Sequence, residues 1–221
     1  MDYERISAYL HSLESDDIPF IDDIESYAVA RQIPIARRET VSFLQTMVKV
    51  SKPATILEVG TAVGYSTLKM AMASGGSSKI TSIERSEENY GLAKANVSAA
   101  ESEGIIPGGE IELLFGDATD ILKSLEGPYD FIFMDAAKGQ YILWLPEVMR
   151  LLAPGGVLIS DNVFQDETIF ESKFTVERRE RTIHKRMREY LYALKHDDRL
   201  DTSILPLGDG VALSYRRLTD D

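Results

Sequence analysis

Residues 55–73, TILEVGTAVGYSTLKMAMA, decide the fold. TILEV is short, β-branched and apolar, and suits a buried strand; YSTLKMAMA has the apolar spacing of a helix. Between them, Gly60 and Gly64 allow a tight turn and a close backbone approach to a ligand. The stretch lacks the GxGxxG spacing of nicotinamide dinucleotide sites and the GK[ST] of a P-loop.

The same strand-then-helix alternation continues downstream. KITSIE precedes SEENYGLAKANVSAAES, EIELLF precedes ATDILKSL, FIFMD precedes YILWLPEVMRLL, and GVLIS follows. Such alternation predicts an α/β fold with a parallel, doubly wound sheet whose strands end on one ligand-binding edge. The tail, TSILPLGDGVALSYRR, places two runs around Gly208-Asp209-Gly210 and predicts a hairpin whose antiparallel pair finishes the sheet. Upstream, ERISAYLHSL, IDDIESYAVARQI and ARRETVSFLQTMVKV predict three helices within residues 1–50, with Pro34 in a connecting loop. The whole chain, 1–221, reads as a single domain, with an α/β core over 53–221 that carries an insertion and a basic helix at 164–195.

Composition narrows the function classes. The chain has no cysteine, so disulfides, zinc-thiolate sites and cysteine nucleophiles are excluded. Its three histidines, His11, His184 and His196, are scattered, which disfavours a histidine-rich metal site. The charged start lacks the apolar core of a signal peptide, and no apolar run reaches the length of a membrane span; a cytoplasmic, soluble protein with no membrane contact is expected. The net charge of -12 disfavours wrapping nucleic acid with the whole surface.

Acids stand where these strands end. Glu58 precedes the glycines, where it would repel a pyrophosphate and attract a cationic head. Glu84 ends TSIE, a suitable place to accept both hydroxyls of a ribose. Asp117, in Gly116-Asp117-Ala118, is placed to reach an adenine amine. Together they suit S-adenosylmethionine, a nucleoside bearing a sulfonium and an amino-acid tail. Alone, each has an ordinary reading, since glycine-rich strand-helix turns occur in many α/β proteins.

LEVGTAVGYS, the IER around Glu84, GDA, MDAAKGQY and SDNV, in this order, resemble the cation-dependent O-methyltransferase family, which includes catechol and caffeoyl-CoA O-methyltransferases. IPI, DAAKGQY and LPLGDGVALS most resemble its bacterial tRNA 5-hydroxyuridine methyltransferase branch. The resemblance implies a Rossmann-like, seven-stranded, mostly parallel sheet with an antiparallel last strand, helices on both faces, and a homodimer. It implies a cofactor site of Ile35, Glu58, Gly60, Ser66, Glu84, Asp117, Ala118 and Asp135. Asp135, Asp161 and Asn162 would hold a divalent metal, and Lys138 would be the catalytic base. IARRET departs from the more acidic or glycine-bearing stretch of many relatives.

Two carboxylates and an amide oxygen at the ends of neighbouring strands make a hard site suited to Mg²⁺, Mn²⁺ or Ca²⁺. Such an ion makes a hydroxyl easier to ionise, and the resulting oxyanion attacks a sulfonium methyl. A 5-hydroxyl beside the 4-carbonyl of a uracil offers the same pair of oxygens as a catechol. The resemblance to the tRNA branch implies that the acceptor is the wobble 5-hydroxyuridine of a tRNA anticodon loop, giving 5-methoxyuridine; the alternative is a small catechol or phenylpropanoid. Asp-Asn after a strand is also an ordinary turn former.

Residues 173–188 hold seven Lys/Arg against two Glu, a local charge of +5 in an acidic chain. Read as a helix, VERRERTIHKRMREYLYALKH places Val176, Ile183, Met187, Tyr190, Leu191 and Leu194 on one side. Arg178, Arg181, Lys185 and Arg188 fall opposite, a cationic stripe suited to phosphate contact; a solvated face or a dimer contact would look the same. The preceding FQDETIFESKF is expected to cover the substrate, and Tyr141, Trp144 and Phe164 are aromatics that would suit either base stacking or a core.

Overall fold

A computed structural model describes residues 3–13, 17–106, 110–164, 168–171 and 176–218. Helices α1 (Tyr3–Leu13), α2 (Pro19–Ala30) and α3 (Arg38–Ser51) lead into strand β1 (Thr55–Val59). Then follow α4 (Tyr65–Ser74), β2 (Lys79–Glu84), α5 (Glu87–Ser102), β3 (Ile111–Phe115), α6 (Ala118–Ser124) and β4 (Tyr129–Met134). The chain closes with α7 (Tyr141–Leu151), β5 (Leu152–Ser160), α8 (Arg181–His196), β6 (Leu200–Leu205) and β7 (Val211–Arg216).

The strands form one seven-stranded sheet in the order β3-β2-β1-β4-β5-β7-β6. All neighbours from β3 to β5 pair in parallel, and β7 lies antiparallel between β5 and β6. Side chains alternate across this sheet, so the central strands feed two cores at once. Ile56, Phe131, Phe133 and Ile159 pack with Ile21, Leu44 and Leu68 from α2, α3 and α4. Leu57, Ile132, Met134 and Leu158 pack with Leu122, Val148 and Tyr190 from α6, α7 and α8. The continuous apolar runs of β1 and β4 are those of strands covered on both faces.

The strand order brings β1, β4 and β5 side by side, with Val59 opposite Met134 and Met134 opposite Ser160. Consequently Gly60, Asp135 and Asp161, each the next residue along, emerge together on one edge of the sheet. The ladder continues for one bond past each strand, with Asp135 N–H donating to Val59 O and Asp161 N–H to Met134 O, both at 2.9 Å.

The basic helix is shorter than its sequence pattern. The expected start at Val176 is corrected to Arg181, with Val176–Glu180 in turns before it. The helix begins on Arg181, whose Nε donates to Val176 O at 3.0 Å and so ties down the turns before it. The apolar side holds: Val176, Met187, Tyr190 and Leu194 are buried, and Ile183 and Leu191 partly so. His184 is buried beside them. The expected cover over the substrate, 164–174, lies largely outside the described residues; within it, Thr168–Phe170 forms a short 3-10 turn and the Phe164 and Phe170 rings pack 4.8 Å apart. Among the described residues, no helix is long and apolar enough to cross a membrane.

Candidate active site

A cavity of about 420 Å³ opens at the ends of β1, β2, β3 and β4, within the range of small-ligand sites. Ile35, Gly60, Ser66, Glu84, Asp117, Ala118 and Asp135 all line it. Glu84 is held from behind: its two carboxylate oxygens accept the N–H groups of Ala62 at 2.8 Å and Ser86 at 2.7 Å. Each oxygen keeps acceptor capacity for a ribose hydroxyl. Asp117 caps α6 by accepting the Thr119 N–H at 2.7 Å, and hydrogen bonding by Thr119 holds its carboxyl below the usual carboxylate range.

Glu58 occupies a different place from its expected one. It is 0% exposed, behind the cavity wall, and accepts from the hydroxyls of Ser66, Thr67 and Ser82. Burial pushes its carboxyl up to about 7, against the opposing effect of those three hydroxyls. Ser66 lines the cavity itself, and Ser82 reaches it through Thr61 at 2.6 Å, so Glu58 orients hydroxyls of the wall. Its strand position made it look like a wall residue, because a sequence does not reveal which face of β1 the cavity opens on.

Trp144 also lines the cavity, with its indole N–H donating to Thr119 Oγ1 at 3.1 Å; the sequence left it as one of several core aromatics. Tyr141 is fully buried and acts as a post between strand ends. Its hydroxyl accepts the Ala136 N–H at 3.1 Å and lies 3.1 Å from Met134 O and 3.3 Å from Asp161 O. It therefore fixes both acid-bearing loops and is unavailable for base stacking.

Where β4 and β5 end, the structure brings Asp135, Asp161 and Asn162 together. Asn162 Nδ2 donates to Asp135 Oδ1 at 2.8 Å, and the Asn162 N–H donates to Asp161 Oδ1 at 2.8 Å. Asn162 adopts a left-handed backbone with φ 61°, a conformation Asn tolerates better than most residues. Asp161 is only 2% exposed. Burial raises the proton affinity of both carboxyls, and the charge of Asp135 raises that of Asp161 further. Two buried acids that resist ionising side by side fit a divalent cation, which removes that repulsion. Among the described residues no three His, Cys, Asp or Glu groups form a metal cluster; a cation at this pair would need a further oxygen donor, and the amide of Asn162 is adjacent.

Lys138 lies one turn beyond Asp135, in a 3-10 turn over Lys138–Gln140, and its charge lowers the proton affinity of both acids. Asp209 was read only as part of a hairpin turn, yet its charge reaches Asp135 and Asp161. Arg37 grips it bidentately, Nε to Oδ2 at 2.8 Å and Nη2 to Oδ1 at 2.7 Å. The turn is also tied to the loop after β5: Val163 and Phe164 N–H donate to Gly210 O and Asp209 O. Arg37 belongs to the IARRET stretch, so that departure supplies a cation beside this acidic corner. Only contact across 172 residues reveals the pair.

Arg178, Arg181, Lys185 and Arg188 are all exposed, the last three on α8 and Arg178 in the turn before it. The helix starts next to the Lys138 turn, with Arg186 Nη1 donating to Gly139 O at 3.1 Å.

An O-methyltransferase family model matches residues 12–217. This chain belongs to that family. A catechol O-methyltransferase of Niastella koreensis is 32% identical over 137 residues, 60% of each chain. A caffeoyl-CoA O-methyltransferase of Nicotiana tabacum is 30% identical over 184 residues, 80% of this chain and 74% of that one. Among solved structures, an SAH-bound methyltransferase of Podospora anserina superposes with a TM-score of 0.82 at 25% identity, covering 99% of this chain and 95% of that one. The family match fits a sheet in which β7 alone runs against its neighbours.

Proposed function

We propose that this O-methyltransferase family member transfers the methyl group of S-adenosylmethionine, with a divalent cation, to the 5-hydroxyl of 5-hydroxyuridine in a tRNA anticodon loop. The observation that carries the reading is the convergence of Asp135, Asp161 and Asn162 beside both the cavity edge and Lys138. Glu84 and Asp117 suit the ribose and adenine of the cofactor, and Ile35, Gly60, Ser66 and Ala118 the space around it.

Asp135, Asp161 and Asn162 would hold the cation, Mg²⁺ first and Mn²⁺ or Ca²⁺ by the same donor chemistry. When bound, the cation supplies positive charge that makes an acceptor hydroxyl easier to ionise. Lys138, in its neutral amine form, would take the hydroxyl proton on Nζ and become an ammonium. The oxygen then forms a bond to the methyl carbon as the carbon-sulfur bond breaks, releasing S-adenosylhomocysteine. Holding donor and acceptor in line contributes roughly 7–11 kcal/mol in well-oriented systems.

The cationic side of α8 supports RNA as the acceptor, because it continues outward from the Lys138 turn in a chain that is otherwise acidic. The reading includes a homodimer, supported by exposed Tyr9, Leu10 and Leu13 on α1. A second reading, a small catechol or phenylpropanoid acceptor, is favoured by the names of the curated relatives.

Incubation with labelled S-adenosylmethionine, Mg²⁺ and tRNA bearing 5-hydroxyuridine, followed by nucleoside mass spectrometry, is expected to yield labelled 5-methoxyuridine. Label in pyrocatechol and none in the RNA would replace the first reading with the second.

A further inference from the structure

A second cavity, of about 480 Å³, adjoins the first and shares Ala136, Ala137 and Gln140 with it. It lies between the Lys138 turn and the start of α8, with Glu180, Ile183 and Arg186 forming the opposite wall. The two walls are fixed to each other. Arg186 Nη1 donates to Gly139 O at 3.1 Å, and a Cβ on Gly139 would stand 3.4 Å from Ile183 Cγ1.

Three charged side chains meet here: Lys138, Arg186 and Glu180. A guanidinium has five N–H donors, and Gly139 takes one of those on Arg186. The nearest cation to Glu180, Arg179, is 3.7 Å away, beyond hydrogen-bond length, so the carboxylate keeps acceptor capacity.

We propose that this cavity is a nucleotide subsite in which Arg186 pairs with the phosphodiester flanking the target nucleoside and Glu180 accepts the ribose 2′-hydroxyl, so that RNA is selected over DNA. The proposal rests on the RNA reading above. A guanidinium fork matches phosphate oxygens bidentately. A carboxylate beside it would repel a bare anion, yet it suits a sugar hydroxyl, and the 2′-hydroxyl is the group that separates RNA from DNA. A neutral phenol uses neither charge. The wall of Ala136, Ala137 and Gln140, common to both cavities, puts this nucleotide next to the acceptor base.

The test is anisotropy of a fluorescent anticodon stem-loop bearing 5-hydroxyuridine, in all-ribose form and with 2′-deoxy substitutions on either neighbour of that uridine. Full-length wild type, Arg186→Ala, Arg186→Lys and Glu180→Ala are compared after circular dichroism confirms folding. Wild type is expected to prefer the all-ribose loop by about fivefold, and Arg186→Ala to lose about tenfold in affinity, as for one charge-assisted hydrogen bond. Arg186→Lys, which keeps the charge and a donor for Gly139, recovers part of that loss. Glu180→Ala abolishes the ribose preference. Folded Arg186→Ala that binds like wild type, or a ribose preference that survives in Glu180→Ala, overturns the subsite and leaves the RNA reading standing. Wild type that neither binds nor methylates the stem-loop overturns the RNA reading and the subsite with it.

Discussion

Gly60 packs directly onto the backbone of Asp135: a Cβ built on Gly60 would stand 1.9 Å from the Asp135 carbonyl oxygen. The turn after β1 and the loop after β4 are thus in contact, and a side chain at one displaces the other. Gly60 also has φ +106°, a region L-residues rarely adopt.

Gly60→Ala is therefore expected to damage both sites at once. Backbone strain of this kind costs about 1–3 kcal/mol, and the shift of Asp135 adds to it. Calorimetry should show loss of S-adenosylhomocysteine binding, and a thermal melt a lower Tm. Unchanged affinity in the variant would mean that the two loops do not form one unit.

Glu84 is pre-oriented by the Ala62 and Ser86 amides. Glu84→Ala removes a charged acceptor, worth about 1.5–3 kcal/mol per hydrogen bond. Calorimetric affinity for S-adenosylhomocysteine should fall at least tenfold, a change of about 1.4 kcal/mol. If the ribose hydroxyls are the groups lost, a 2′,3′-dideoxy analogue should bind variant and wild type alike; an equal fall for both ligands would assign Glu84 a purely structural role.

The buried acids set a pH dependence of stability. Asp135, Asp161 and Glu58 all have folded proton affinities above the ordinary carboxylate value. The folded chain holds protons that the unfolded chain has already released, so their stabilisation is complete at low pH. It is lost as pH rises, through about 7 for Glu58, by up to about 1.4 kcal/mol per pH unit for each group. A cation at Asp135 and Asp161 favours their ionised forms, so the rise in Tm on adding Mg²⁺ should grow from acidic to alkaline pH. Asp161→Asn should remove that growth, whereas Glu58→Gln should flatten only the metal-independent decline. A Tm gain from Mg²⁺ that is the same at every pH would argue against cation binding by this pair.

Charge reversal at Arg178, Arg181 and Lys185 to Glu tests the outer face of α8. All three are exposed, though Arg181 Nε donates to Val176 O at 3.0 Å, so circular dichroism accompanies the test. If each meets one phosphate, affinity for an anticodon stem-loop falls and the slope of log affinity against log salt shrinks by roughly 2–3. An unaltered slope would move the RNA to another surface.

Much of this molecule is written locally. Alternating apolar runs and helical periods predict the parallel sheet, and the acid at or just past the end of each run, Glu84, Asp117, Asp135 or Asp161, marks the cavity edge, because a strand fixes where its own end lies. Boundaries are less legible, as the late start of α8 shows, since periodicity tells which side chains can share a face and not where the helical hydrogen bonds begin.

The sequence by itself determined the strand-helix order, the acids and glycines at the strand ends, and the opposed apolar and cationic sides of α8. Only the tertiary structure decided that Glu58 lies behind the cavity wall while Trp144 faces in, that Arg37 grips Asp209 beside the acidic corner, and that Arg186 closes a cavity against Gly139. These depend on which face of a strand meets a cavity and on contacts between residues far apart in the chain. Local periodicity carries no information about either, because both are fixed by how the packed elements fill space.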